Sequence, residues 1–333
     1  MTEADLRFVA PLAQSNPVAV IDFAVTADRH GFAGTVIDDR FQPWLPSQSN
    51  ASFAWAVAGA ISQVINGAIT VSAVPGYRMH PVTLAQASAT LAALHPGRHR
   101  LLLAAGDAID EHVVGGYWPE AHERAERLFE AAEVIRKLFA ASVKGNDVRH
   151  AGSHFRMEST RLWTMPEEAP PVQIWAGGPV TARRAGRVAD GIVVQAGPAD
   201  RLRALLAAFH EGRRESGRIT AQALATAHVQ LSWAPTDEAA MAQALSDWPM
   251  AGLRFPRGDI RSPFDVAQLA RSVTEEDIRA RIPVSSDPEV HRAYLQSFFD
   301  LGFDSVHVHN VGAHVQHEWI EVAGRDILPK LVR

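Results

Sequence analysis

Eight short apolar runs, each followed by a stretch of helical periodicity, restrict this 333-residue chain more than any other feature of it. The runs cover residues 8–10, 35–37, 69–73, 101–105, 172–176, 191–194, 226–233 and 305–309, and most are apolar throughout, as strands covered on both faces must be. Between them, Leu128, Ala132, Ile135 and Leu138 recur three or four residues apart, as do Leu84, Ala87, Leu91 and Leu94 ahead of Pro96-Gly97. Strand alternating with helix dictates a parallel sheet, and eight such units predict a closed (β/α)8 TIM barrel rather than an open doubly wound sheet. The intervals 107–171 and 234–303 are too long for one helix each, which predicts insertions at the C-terminal mouth. The second contains WPMAGLRFPRGDIRSPFDVAQ, whose prolines and glycines predict an ordered loop with short helices. No repeat, low-complexity tract or composition break divides the chain, so residues 1–333 read as a single domain.

Composition removes several function classes. A formal charge of −5, from 32 Lys and Arg against 37 Asp and Glu without long single-sign blocks, offers no basic stripe for nucleic acid. The absence of cysteine excludes disulfides, thiolate nucleophiles and Cys-ligated metals, and fits a reducing cytoplasm. MTEADLRFVAPLA carries acids where a secretory signal is basic, and no apolar run is long enough to span a bilayer, so a soluble, untargeted protein is expected. HExxH, GxSxG and GxxxxGK[ST] patterns do not occur; His307 and His309, at strand spacing, have no evident ligand set, so no metal is expected.

Strand C-termini line the site of a barrel, and here they are polar. The second strand ends in Asp38-Asp39-Arg40 and leads to Trp44; the fourth ends in Gly106-Asp107 and continues to Asp110-Glu111-His112. These carboxylates suit either acid–base work or helix capping and solvated loops. The fifth strand runs into Gly177-Gly178-Pro179 and a helix bearing Arg183, Arg184 and Arg187. That pattern suits a phosphate cradle at a helix N-terminus, and equally a strand-to-helix turn with a solvated basic face. Arg254, Arg257, Arg261, Arg279 and Arg281 form either an anion clamp or surface pairs with neighbouring acids.

IDDRFQPW, AGDAIDEHVVGGYWPEAHERAERLFEAAEVIRKLF and HFRMESTRLWTMPEEAPPVQIWAGGPVTARRAGRVADGI together resemble luciferase-like F420-dependent oxidoreductases, nearest the glucose-6-phosphate dehydrogenase group. The likeness extends to SSDPEVHRAYLQSFFDLGFDSVHVHNVG and so covers nearly the whole chain. It implies a luciferase-type barrel binding the deazaflavin F420, with its phosphate tail at Ala176, Gly177, Gly178 and Pro179. It places Val194 beside the cofactor, and a non-prolyl cis peptide at Val71-Ser72 behind the ring. Asp39, Trp44, Asp107 and Asp110 match positions around ring and substrate, and Arg257 and Arg281 match two sugar-phosphate cations. The resemblance further implies a homodimer.

Two departures alter the expected chemistry. Arg40 stands where the family's dehydrogenases carry a catalytic histidine, and a guanidinium cannot accept a substrate proton. Gln195 and Pro198 replace a threonine and a lysine on the sugar phosphate, which argues against glucose 6-phosphate as substrate. The expected reaction is hydride transfer between F420 and an alcohol, carbonyl or activated alkene, with or without an anionic group on the substrate. In it Asp107 and Asp39 manage the proton and Arg40 stabilises negative charge. The alternatives are an FMN-dependent monooxygenase or flavin reductase on the same fold, and a non-catalytic F420-binding protein.

Overall fold

The computed structural model describes residues 4–218 and 223–333, so the first three residues of the acidic N-terminal stretch lie outside it. Its eight barrel strands are β1 (Asp5–Val9), β2 (Gly34–Asp38), β3 (Ala68–Ala73), β4 (His99–Leu103), β5 (Val172–Trp175), β6 (Gly191–Gln195), β7 (Leu224–Trp233) and β8 (Ser305–Asn310). All pair in parallel in chain order, and β8 closes the barrel by pairing with β1 on one side and β7 on the other. The predicted closed barrel is therefore the observed one.

Helices cover the strands as the periodicity requires. Leu128, Ala132, Ile135 and Leu138 of the helix Ala121–Val143 are all buried. In Pro81–Leu94 the buried face instead runs through Leu84, Ala85, Ser88, Ala89 and Leu91, while Leu94 is exposed at the helix end. The helix is rich in alanine on every side, so its sequence weakly specifies which stripe turns inward.

Both long intervals carry additions. After β4 come a short helix (Ala108–Glu111), the long helix Ala121–Val143 and an antiparallel hairpin, Val148–Ala151 with Arg156–Thr160. After β7 come the helices Asp237–Asp247, Pro263–Ala270 and Glu275–Arg279, and a two-residue strand (Val284–Ser285) beside Ser232 and Trp233. A second apolar cluster, including Trp44, Ile109, Trp248, Met250 and Val311, fastens this insertion over the mouth.

Polar groups fill the opposite end of the barrel interior. Arg7, 2% exposed, donates to both oxygens of Asp5 (2.7 and 2.9 Å) and to Thr70 (3.1 Å). Arg100 lies 3.7 Å from Asp5, and Ser305 donates to it at 2.9 Å. Burial pushes the Asp5 carboxyl up, but these partners together outweigh it and hold the group below its ordinary value. Among the described residues no peptide bond is cis. This corrects the expectation at Val71-Ser72: that bond lies inside the regular β3 ladder, Val71 opposite Ile37 and Leu101 and Ser72 opposite Asp38 and Leu102. Ladder pairing on both sides holds the segment in ordinary extended geometry.

Candidate active site

The mouth contains a cavity of about 540 Å³ whose wall includes Asp39, Arg40 and Trp44 after β2, Gly106, Asp107 and Asp110 after β4, Gly177 after β5, and Arg257 from the late insertion. That size lies within the roughly 300–1,000 Å³ of small-molecule and cofactor sites. The acids and Gly177, the first of the glycine pair, thus share one cavity.

Asp107 is delivered by a turn that only glycine fits. Gly106 has φ +86°, and a Cβ there would lie 2.7 Å from the Val74 side chain. Asp107 occupies the N-cap position of Ala108–Glu111, yet its carboxylate accepts no capping hydrogen bond. The neighbouring Ala108 N–H is satisfied instead by the Gly258 carbonyl at 2.8 Å, which ties the late insertion to this turn. Burial raises the Asp107 carboxyl above its ordinary range, only partly opposed by the charges of Arg40, Arg257 and Arg124. The capping alternative therefore does not hold for Asp107: its carboxylate faces the cavity uncommitted.

Asp110 is differently used. Its Oδ1 accepts from the N–H groups of Phe41 (2.9 Å) and Gln42 (3.0 Å), and Oδ2 lies 2.8 Å from Arg40 Nη2 without hydrogen-bond alignment. Asp110 thus pins the loop that carries Arg40. Arg40 in turn stacks on Trp44 at 4.2 Å, and Arg257 covers the same indole at 5.0 Å. Arg257 donates to the Met250 carbonyl at 3.1 Å; no carboxylate among the described residues pairs with it, and burial lowers its pKa.

Asp39 is 6% exposed. Its Oδ2 accepts from Arg78 at 3.1 Å, and its backbone carbonyl accepts from the same nitrogen at 2.9 Å. Arg78 also pairs with the buried Glu111 at 3.0 Å. Burial raises Asp39 above its usual range and pushes Glu111 up to about 7, because one guanidinium compensates two desolvated carboxyls incompletely.

At the glycine end, a Cβ on Gly177 or Gly178 would meet nothing within 4 Å, and the helix Pro179–Val188 begins at Gly178 with no side-chain cap. Its first-turn amides are available to an anion. The arginines of that helix are not part of the cradle: Arg183 and Arg187 pair with Glu215, and Arg184 pairs with Glu126 and stacks on Phe129.

Ser72 and Gln195 also line the cavity, whereas Val71, Ala176 and Val194 are fully buried behind the wall, and Gly178 and Pro179 sit outside it at the helix start. Arg281 lies on the exposed surface beyond the turn that ends Glu275–Arg279, outside the cavity wall, and Arg254 is spent on Asp277. Only Arg257 of the distal arginine set reaches the wall. His309 and His228 reach the cavity floor from β8 and β7; burial lowers both, His309 to about 3, so they are neutral there. His307 lies deeper, with neither ring nitrogen partnered. Among the described residues no cluster of potential ligands comes together to hold a metal ion, and no helix is long and apolar enough to cross a membrane.

Sequence reading missed Arg78, Arg124, His228 and Trp248. A basic residue between Pro75 and Pro81, following a strand end, was the one available signal for Arg78.

The family model described as luciferase-like monooxygenase matches residues 7–305. The chain is 32% identical to an F420-dependent glucose-6-phosphate dehydrogenase of Microbacterium testaceum, covering 98% of this chain and 97% of that one. It is 33% identical to a like-named protein of Segniliparus rotundus, again over 98% and 97%. Among solved structures, an F420-dependent secondary alcohol dehydrogenase in complex with an F420-acetone adduct superposes with a TM-score of 0.91 at 25% identity over the whole of both chains. The F420-dependent tetrahydromethanopterin reductase of Methanopyrus kandleri, at 17% identity and TM-score 0.78 over 99% and 100% of the two chains, shares the fold.

Proposed function

This chain belongs to the luciferase-like monooxygenase family, and within it we propose that the chain is an F420-dependent oxidoreductase transferring a hydride between the deazaflavin and an organic alcohol, carbonyl or activated alkene. The observation that carries the reading is the single cavity shared by Asp107, uncommitted to any cap, and the open backbone at Gly177. The residues fit the group: Gly177, Gly178 and the first turn at Pro179 would hold its phosphate. Asp39, Ser72 and Asp110 would lie along its ring system. Bound there, F420 would supply a two-electron hydride carrier.

Asp107 handles the proton. A carboxyl raised by burial holds a proton closer to neutrality than a solvated one, which suits it to exchange with a substrate oxygen at the mouth. Arg40 stays charged and, fixed by Asp110 and Trp44, stabilises negative charge developing on that oxygen. Arg257, half-buried and paired with no carboxylate among the described residues, accommodates an anionic group of the substrate. Gln195 on β6 completes the substrate wall, while Arg281, on the surface, contributes little. A homodimer in the cytoplasm belongs to the same proposal and is checked by sedimentation and fractionation.

Fluorescence titration with F420 and with FMN tests the assignment. Tight binding of F420 and weak binding of FMN is expected; the reverse preference would replace the proposal with a flavin enzyme on the same fold.

A further inference from the structure

The buried ion network beside the cavity has an asymmetry that the reaction chemistry has not used. Arg78 stands on the segment after β3 and reaches two other segments at once. Its Nε meets Glu111 Oε1 at 3.0 Å, and its Nη2 meets both Asp39 Oδ2 at 3.1 Å and the Asp39 carbonyl at 2.9 Å. The backbone N–H of Arg78 also points to Glu111 Oε2 at 3.4 Å. Side chains of Asp39 and Glu111 are 1% and 0% exposed in this arrangement. Among the buried side-chain atoms of Asp39, Arg78 and Glu111, Asp39 Oδ1 alone is without a partner. Asp39 itself lines the cavity. A buried carboxylate oxygen with no donor is costly, and it is tolerated where a ligand supplies the donor.

We propose that Arg78 is a positioning residue: anchored by Glu111, it fixes Asp39 by one carboxylate oxygen and the backbone carbonyl, and so presents Oδ1 as the acceptor for an N–H or O–H donor of the bound cofactor. The proposal rests on the cofactor reading above. Two contacts to Asp39 from one planar group set its side-chain torsion as well as its position. A lysine in place of Arg78 carries the same charge, but its ammonium lacks the planar fork that reaches Glu111, the Asp39 carbonyl and Asp39 Oδ2 together. Glu111 acts on the other side as the anchor, so its shape matters more than its charge.

Four variants, R78K, R78Q, E111Q and D39N, with the double variant D39N/R78K, are titrated with F420 by fluorescence, and their fold is checked by circular dichroism. D39N and R78K are each expected to weaken F420 binding roughly ten- to hundredfold, the loss that follows when a hydrogen bond to a charged group is removed. E111Q, which keeps an acceptor for Arg78 at a position that does not line the cavity, is expected to stay within about threefold of the parent. The double variant is expected to bind no more weakly than D39N alone, since Arg78 acts only through Asp39. Additive losses in the double variant, or R78K binding like the parent, would overturn the proposal. Loss of the fold in both R78K and R78Q, with D39N folded, would assign Arg78 to the scaffold and overturn it as well. Should the parent bind FMN in place of F420, the cofactor assignment fails by itself, and the same cycle run with FMN still decides the role of Arg78.

Discussion

The two ends of the barrel interior both bury charge, and they balance it in opposite ways. At the closed end, Asp5 is met by Arg7, Arg100 and Ser305, and its carboxyl is held below the ordinary value. At the mouth, Asp39, Asp107 and Glu111 are all raised, because burial outweighs the cations that face them. At the closed end both oxygens of the carboxylate are met and the group serves as scaffold; at the mouth the carboxyls are left short of positive charge, and Asp39 Oδ1 of a hydrogen bond, and that deficit is what a ligand and a moving proton can fill.

The comparison breaks most readily at Asp107. Asp107→Asn is expected to lower kcat by roughly 10²–10⁴-fold, the range of positioned acid–base catalysis, while F420 affinity in a fluorescence titration stays nearly intact. Retained turnover would move the proton to another group. At the closed end, Arg7→Met removes two of the hydrogen bonds to Asp5, leaving it Ser305 and the more distant Arg100, and is expected to cost about 3 kcal/mol of unfolding free energy in urea. The kcat of the folded fraction should not change. A loss of kcat without loss of stability would erase the distinction between the two ends.

Titration separates the ends by sign. Glu111 has an ordinary value of 4.5 and a folded value of about 7, so between those two points the unfolded chain has already released a proton that the folded chain keeps. Its contribution to stability therefore falls as pH rises through that window. Asp5 is depressed below 3.8, so its contribution is present above that value and is lost as pH falls through the folded one. Glu111→Gln is expected to flatten the slope of Tm between pH 4.5 and 7 and to leave the acid limb unchanged. The smallest effects are expected among the distal arginines. Arg257→Ala should raise KM for an anionic substrate about tenfold, and Arg281→Ala, on the surface, by less than about twofold.

Much of this was legible in the residues, and the gaps share a cause. Most of the eight strands were visible because a strand covered on both faces is apolar throughout. The reading of β1 nevertheless began at Phe8, and that of β4 at Leu101, since Asp5, Arg7, His99 and Arg100 interrupt the pattern. Asp5, Arg7 and Arg100 meet in a polar barrel end, and His99 turns outward to Ser88 on the covering helix; periodicity has no means of anticipating either. Asp107 was legible because it closely follows the end of a strand. Arg78 was not, since its partners lie 33 and 39 residues away and only the closed barrel brings them together. Arg257 and Arg281 looked alike in sequence, and only the turn after Glu275–Arg279 separates them.

Closure by β8 has a consequence for how the chain is made. Ser305 meets Asp5 across 300 residues, and until β8 arrives both β1 and β7 present unpaired edges. An incomplete chain carries the β1 edge until β8 has been made, and an unpaired strand edge is open to pairing with another chain. Association of incomplete barrels through those edges is the hazard that closure removes.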